Sequence, residues 1–260
     1  MDPRVALLKE YYAGLPRDRI KLETYEHGFE YLGRLLQGGT TLEYGELTLI
    51  GLLHKYKLAN VSEDAFDAFL LGHVEKRWNV CQYFDDRANR VFCFNLDNNH
   101  KTNNTELIPE MVLALQAMQQ TLVGAGCEPL IVASGRGYHV WCRTEQPIEN
   151  QRLYDFMLRV AVLAMARIHG EGLDHSKVKI NVYPDPRTRD TVSLRLFGSD
   201  HAKNKVFSRV LGPEGLLEEE ASWVAFERHL SQGTLTGAEF DAASEAVMNM
   251  TVAGPIAPGV

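Results

Sequence analysis

The residues best placed to do chemistry begin with Arg90-Val-Phe-Cys-Phe-Asn-Leu-Asp-Asn-Asn-His100. Val91 to Phe94 is a short, apolar, aromatic-rich run with the composition of a buried strand. It gives way at once to Asn95, Asp97, Asn98, Asn99 and His100. Side chains alternate along a strand, so Asn95 and Asp97, two apart, point to one face. A buried strand that projects oxygen donors from its end is a common way to build a metal site. All-oxygen donors suit Mg²⁺ or Mn²⁺ better than Zn²⁺. A strand running into an Asn-rich turn would account for the same residues without any chemistry.

A second stretch, Ser134-Gly-Arg-Gly-Tyr-His-Val-Trp141, joins two apolar runs. Its two glycines let backbone N–H groups come close to a phosphate, as in an anion-binding nest. Arg136 adds charge and His139 stands at the start of the returning run. The plain alternative is a tight hairpin with a surface arginine and a histidine at the core edge. A third stretch runs from Asp185 to Lys203. It carries Asp185 and Asp190, then an apolar run with Arg195, a Gly-Ser turn ending at Ser199, and His201 and Lys203 behind it. Basic groups after such a turn suit a triphosphate or a nucleic-acid backbone, and a solvated charged loop is the plain reading.

The chain that must position these residues has 260 of them, enough for one or two domains with a full core. It is 45% hydrophobic and 23% charged, an ordinary globular composition. The formal net charge of −7 argues against a broad, non-specific nucleic-acid binder but leaves room for a local basic groove. Basic residues cluster between Lys177 and Arg209. There is no apolar run of transmembrane length, and the opening Met-Asp-Pro-Arg has no charged-then-apolar leader. Cys81, Cys93, Cys127 and Cys142 form no C-x-x-C pair, so they read as reduced, packed thiols of a cytoplasmic protein rather than a zinc site.

Residues 1–80 read as a helical N-terminal element. Val5, Leu7, Leu8, Tyr11 and Tyr12 fit one helical face that ends near Gly14. Tyr25, Phe29, Leu32 and Leu36 share another that ends at Gly38-Gly39, Leu47–Tyr56 is a third apolar segment, and Ser62 caps a fourth with Phe66, Phe69 and Leu70 inward. From residue 81 to 215 the pattern is α+β. A strand pair is expected at Val80–Phe84 and Arg90–Phe94 across the turn at 85–89. It is followed by a helix at Thr105–Val123, strands at Pro129–Ala133 and Val140–Arg143, a helix capped by Asn150, and strands at Val178–Tyr183 and Val192–Phe197. Residues 216–260 return to helix, with a capping-box pattern at Thr236 and Glu239 and a Pro/Gly-rich end.

In order and spacing, the three stretches resemble the motifs of the archaeo-eukaryotic primase superfamily, the primase-polymerases of archaea, eukaryotes, plasmids and phages. That family's first motif is a hydrophobic strand ending Asp-hydrophobic-Asp, here Phe94-Asn95-Leu96-Asp97. The next motif, in plasmid and phage members, is similar to Ser-Gly-x-Gly-x-His before a strand, here Ser134 to His139. Its third is an aspartate some ten residues before Arg-Leu-x-Gly-Ser, here Asp185 followed by Arg195-Leu-Phe-Gly-Ser199 and Lys203.

The resemblance, over about residues 80–215, implies an RRM-like catalytic sheet flanked by N- and C-terminal helices, and a DNA primase or primase-polymerase activity. Asp97 and Asp185, with Asn95 in the remaining position, would hold Mg²⁺ or Mn²⁺, and Asn181 and Asp190 stay open as alternatives to Asp185. Ser134, Arg136 and His139 would meet the triphosphate, and Arg195, Ser199, His201 and Lys203 would support phosphates or template. The implied partners are a single-stranded DNA template, nucleoside triphosphates and a helicase or other replication protein, at a nucleoid or viral replication site.

Asn95 departs from the family pattern. A neutral amide does not offset a divalent ion's charge as a carboxylate does, and two-metal transfer relies on anionic ligands. Two other readings therefore stand beside the enzyme: a catalytically silent nucleotide- or nucleic-acid-binding module of the same fold, and a metal-dependent nuclease using Asp97 and Asp185.

Overall fold

The computed structural model describes residues 2–25, 29–48, 53–98, 108–188, 192–202 and 205–251. In chain order, α1 (Pro3–Tyr11) leads to β1 (Ile20–Thr24), α2 (Phe29–Leu35), β2 (Thr41–Thr48), β3 (Leu53–Ala59), α3 (Glu63–Val74) and β4 (Asn79–Tyr83). Next come β5 (Ala88–Asn98), α4 (Pro109–Gly124), β6 (Leu130–Ala133), β7 (Gly137–Glu149), α5 (Asn150–Gly170), β8 (Val178–Tyr183) and β9 (Ser193–Arg195). The last elements are β10 (Arg209–Gly212), β11 (Gly215–Leu216), α6 (Glu219–Gln232), β12 (Thr234–Leu235) and α7 (Gly237–Asn249). The architecture is α+β. Apart from the parallel contact of β12 with β7, the strand pairs are antiparallel. No helix among the described residues is long and apolar enough to cross a membrane.

The chain divides into two compact units, one of residues 1–86 with 187–208 and one of 87–186 with 209–260. The first holds a five-stranded sheet in the order β2-β3-β1-β4-β9. The expectation of a helical N-terminal element is corrected here: α1, α2 and α3 are present, but strands separate them. Ile20-Lys-Leu-Glu-Thr24 alternates buried and half-buried residues, the period of a strand with one covered face. Leu53-His-Lys-Tyr-Lys-Leu-Ala59 pairs with it in continuous register, Ile20 opposite Leu58 and Thr24 opposite His54. Tyr25, which fits the spacing of the second helix, lies before that helix begins, and residues 49–52 of the third apolar segment are outside those described. The fourth helix is as expected, with Ser62 Oγ accepting from the Ala65 N–H and Phe66, Phe69 and Leu70 buried.

The second unit holds the order β11-β10-β6-β7-β5-β8, with β12 on β7. Its centre follows a β-α-β-β-α-β succession, β5-α4-β6-β7-α5-β8, in which β7 and β5 are the inner strands and β6 and β8 flank them. Phe92, Phe94 and Leu96 of β5, and Tyr138, Val140 and Cys142 of β7, project into a core shared with α4, α5 and α7. Phe92 meets Phe156 of α5 and Phe240 of α7 edge-on, at centroid distances of 5.9 and 6.2 Å. Burying each such side chain contributes about 1.5–3 kcal/mol, which fixes β5 against three helices.

The helix at α7 starts with the expected capping box: Thr236 Oγ1 accepts from the Glu239 N–H and Glu239 Oε2 from the Thr236 N–H. Asn150 is the first residue of α5 rather than its cap. Its Oδ1 accepts from Asn89 Nδ2 at 2.7 Å, tying the helix start to β5. The expected hairpin of residues 80–94 is also corrected. β4 pairs with β1 and β9, and β5 pairs with β7 and β8, so the two strands belong to different sheets and different units. Residues 99–107, including His100 and the expected start of α4, lie outside those described.

Candidate functional site

β5 is the element on which the site is built. With Phe92, Phe94 and Leu96 in the core, alternation sends Cys93, Asn95 and Asp97 to the opposite face of the sheet. The Asn95 amide Nδ2 donates to Asp97 Oδ2 at 2.9 Å, which places the two expected metal-site residues together on that face. The ladder also supplies neighbours that the linear sequence does not reveal. Asn95 stands opposite His139 on β7 and Asn181 on β8, Asp97 stands opposite Gly137 and Lys179, and Cys93 stands opposite Trp141 and Tyr183. His139 is buried and meets Trp141 edge-on at 6.0 Å.

Tyr183 ties the set together electrostatically. Burial is the largest influence on its phenol, which is pushed up to about 12. The charges of Cys93, Asp97 and Asp185 act in the same direction, and a hydrogen bond with Asn95 acts against them. Asp185, the expected third ligand, therefore lies within electrostatic reach of the same phenol as Asp97. Asn181, one of the alternatives, is the residue directly across the ladder from Asn95, and Asp190 falls outside the described residues.

The Ser134–Gly137 loop is the turn of the β6–β7 hairpin. The Ser134 N–H donates to the Gly137 carbonyl at 2.8 Å, so this amide is committed to the turn itself. Gly135 has φ +94°, a left-handed conformation that favours glycine. A Cβ on Gly137 would lie 1.9 Å from the Leu96 carbonyl oxygen, so glycine there is required by the close approach of β7 to β5. The two glycines thus have local structural causes. Arg136, exposed between them, is the residue free to meet an anion from outside.

Arg195, Ser199 and His201 belong to the first unit, with Lys203 outside the described residues. Arg195 is buried on β9, opposite Cys81 of β4. Its charge is one of those, after Lys21 and Lys55, that draw the Glu23 carboxyl down against the opposing effect of burial, the largest single influence. Ser199 is buried, and its carbonyl accepts from both the Ser208 N–H at 3.2 Å and Ser208 Oγ at 3.0 Å. The His201 N–H donates to the Val206 carbonyl at 2.7 Å.

Two residues of the basic cluster between Lys177 and Arg209 have acidic partners. Lys177 pairs with Glu110 at 2.7 Å, and the Arg209 guanidinium binds Glu218 and the Leu216 and Leu217 carbonyls. All four cysteines are free and buried.

The donor set can be tested against a divalent ion. Asp97 and Asp185 are carboxylates and Asn95 is an amide; among the described residues no three of His, Cys, Asp and Glu gather as a metal-holding group. Mg²⁺ is commonly held through one or two carboxylates and completed by substrate phosphates. Two carboxylates and an amide fit that mode, and do not fit a cage made by the protein alone. No known protein family and no curated protein matches the chain.

Proposed function

We propose that this chain is a nucleotidyltransferase of the primase-polymerase type, binding a nucleoside triphosphate on the polar face of β5, β7 and β8. The observation that carries the reading is the grouping on that face. Asn95, Asp97, His139 and Asn181 share it, and the Ser134–Gly137 turn opens beside Asp97. The opposite face is locked into the helical core, which makes a rigid platform for a reacting group. The strand succession and the order β6-β7-β5-β8 support an RRM-like sheet, the core that the motif resemblance implies.

On this reading Asp97 and Asp185 hold Mg²⁺ or Mn²⁺ jointly with the nucleotide's phosphates. When bound, such ions lower the pKa of an attacking 3′-hydroxyl and offset charge on the triphosphate. Arg136 and His139 orient the triphosphate on the platform. The template is a single DNA strand.

Asp97→Ala tests the assignment. It should abolish Mn²⁺ binding measured by calorimetry in the presence of nucleotide, and with it primer extension. An unchanged Mn²⁺ affinity in the folded variant overturns the placement of the site.

One observation favours another reading, a binding module without catalysis. Asn95 uses its amide as a donor to Asp97, and its neighbour across the ladder is Asn181. At that crossing of strands a single carboxylate stands where two-metal chemistry calls for more. Nucleotide binding without extension, in both the chain and its Asn95→Asp form, would decide for the module.

A further inference from the structure

The strand β8 alternates as β5 does. Val178 and Val182 lie in the core with Ile180 packed against it, so Lys179, Asn181 and Tyr183 take the opposite face, the one that carries Asn95 and Asp97. The register sets the residues of β8, β5 and β7 in rows. Tyr183, Cys93 and Trp141 form one, Asn181, Asn95 and His139 the next, and Lys179, Asp97 and Gly137 the last. Polarity rises along the strands, from aromatic rings through amides to charge.

Lys179 is exposed and Asp97 half-buried. Residues directly opposite each other on one face have Cβ atoms about 4.5–5.5 Å apart, so the ammonium can swing over the Asp97 carboxylate or away from it. Its neighbour Lys177 is committed to Glu110 at 2.7 Å. Lys179 has no salt bridge among the described residues, and β8 is the last strand on its side of the sheet, so this ammonium is open to a ligand. On the other side of Asp97 stands the Ser134–Gly137 turn with the exposed Arg136.

The charges of the last row decide what can bind first. Asp97 is the one carboxylate in these rows. Asp185 follows Tyr183, at the opposite end of β8 from Lys179. Asp97 has a cation on the strand to one side, another at the turn on the other, and the Asn95 amide donating to its Oδ2 at 2.9 Å. A bare divalent ion approaching it meets two like charges and a single anionic ligand, a poor exchange for its hydration shell. A triphosphate is attracted by the same two cations, and charge-assisted bonds from an ammonium to phosphate are among the stronger ones. Once in place, its phosphates add the anionic oxygens that Asn95 does not supply.

We propose that Lys179 makes the nucleotide the first ligand of this face: its ammonium binds the triphosphate and holds off a bare divalent ion, so the ion enters with the nucleotide. This rests on the reading that the triphosphate seats on the polar face of β5, β7 and β8.

The test compares Lys179→Gln and Lys179→Arg with the parent chain, folding being verified by circular dichroism. Calorimetry measures the affinity for deoxyadenosine triphosphate in EDTA and with Mn²⁺, and electron paramagnetic resonance of the unbound ion measures Mn²⁺ binding with and without nucleotide. Lys179→Gln should weaken the metal-free triphosphate by about tenfold and tighten Mn²⁺ alone by about threefold. Lys179→Arg keeps the charge and should match the parent in both. Opposite signs for the two ligands are a result that general damage to the strand does not give.

Parent affinities for both ligands in Lys179→Gln mark a solvated lysine at a sheet edge and overturn the proposal, as does a loss of both together. Mn²⁺ that binds the parent equally well with and without nucleotide also overturns it. Triphosphate that binds the parent only when Mn²⁺ is present overturns the order of binding and leaves the nucleotide reading standing. A parent chain that binds no triphosphate under either condition removes the nucleotide reading, and the proposal with it.

Discussion

Asn95→Asp is the substitution that tests the site most directly. Asn95 Nδ2 and Asp97 Oδ2 are 2.9 Å apart, on two half-buried side chains of one strand face. The substitution replaces a donor–acceptor contact by two carboxylates at about the same separation. Two unit charges 4 Å apart repel by about 4 kcal/mol at an effective dielectric near 20. Partial exposure and salt reduce this to about 2 kcal/mol. For a chain of this size that corresponds to a fall in Tm of about 4–8 °C in metal-free buffer.

The sign of the pH dependence follows. A carboxyl facing a like charge keeps its proton to higher pH in the folded chain than in the unfolded one. The deficit is therefore absent well below the ordinary carboxylate range and grows to its full size by neutral pH. A divalent ion reverses the repulsion, so Mn²⁺ should raise the Tm of the variant more than that of the parent, and primer extension should increase most at low metal concentration. The assay is thermal unfolding by circular dichroism at pH 4 and pH 7.5, with and without Mn²⁺, run beside primer extension. Equal Tm values for the two chains in all four conditions would refute the shared site. A metal-dependent gain in Tm without extension would leave the binding module.

Gly137→Ala should destabilise the chain by about 3 kcal/mol or more, because its Cβ would stand 1.9 Å from the Leu96 carbonyl oxygen; urea unfolding checks this, and an unchanged midpoint would deny the close approach of β7 to β5. His73 and His229 are both held down to about 4, chiefly by burial. Each binds its proton more readily in the unfolded chain, so stability present above about pH 6.5 should be lost as pH falls toward 4, by about 3 kcal/mol for each. Urea midpoints at pH 5 and pH 7 measure that loss, and midpoints that do not differ would contradict the burial of both rings.

Some of this was legible in the linear chain because the signals are local. The apolar run before Asn95 specifies β5, Val178–Tyr183 is recovered as a strand to the residue, and Ser134–Gly137 marks the β6–β7 turn. Ser62 and the Thr236–Glu239 pair name helix starts through hydrogen bonds made within three residues. Partner choice between strands is not local. β4 and β5 lie five residues apart across a polar turn, the usual appearance of a hairpin, yet each burial pattern is satisfied by a different sheet. In the same way Asn181 and Tyr183 carry no motif. They become neighbours of Asn95 and Cys93 only through the register of β8 on β5. The N-terminal strands were obscured by Lys21, Glu23, Lys55 and Lys57, whose alternation with apolar residues is a strand period but whose charges depress strand propensity.

The late arrival of β9 bears on how the protein can be made and cut. β4 is paired with β9 through Cys81, Gln82 and Tyr83, but more than a hundred residues separate the two in synthesis order. Until residues 193–195 leave the ribosome, one side of β4 is an open edge with unpaired backbone groups, the kind of template on which nascent chains associate. A fragment ending at residue 86 keeps that edge for good. It also keeps Tyr12 and His73 without Phe197, whose N–H donates to the Tyr12 hydroxyl and whose carbonyl lies 2.9 Å from His73 Nε2. Proteolytic or recombinant excision of the N-terminal region is therefore expected to give aggregates, while supplying the 187–208 segment through a short linker after residue 86 should restore a soluble unit.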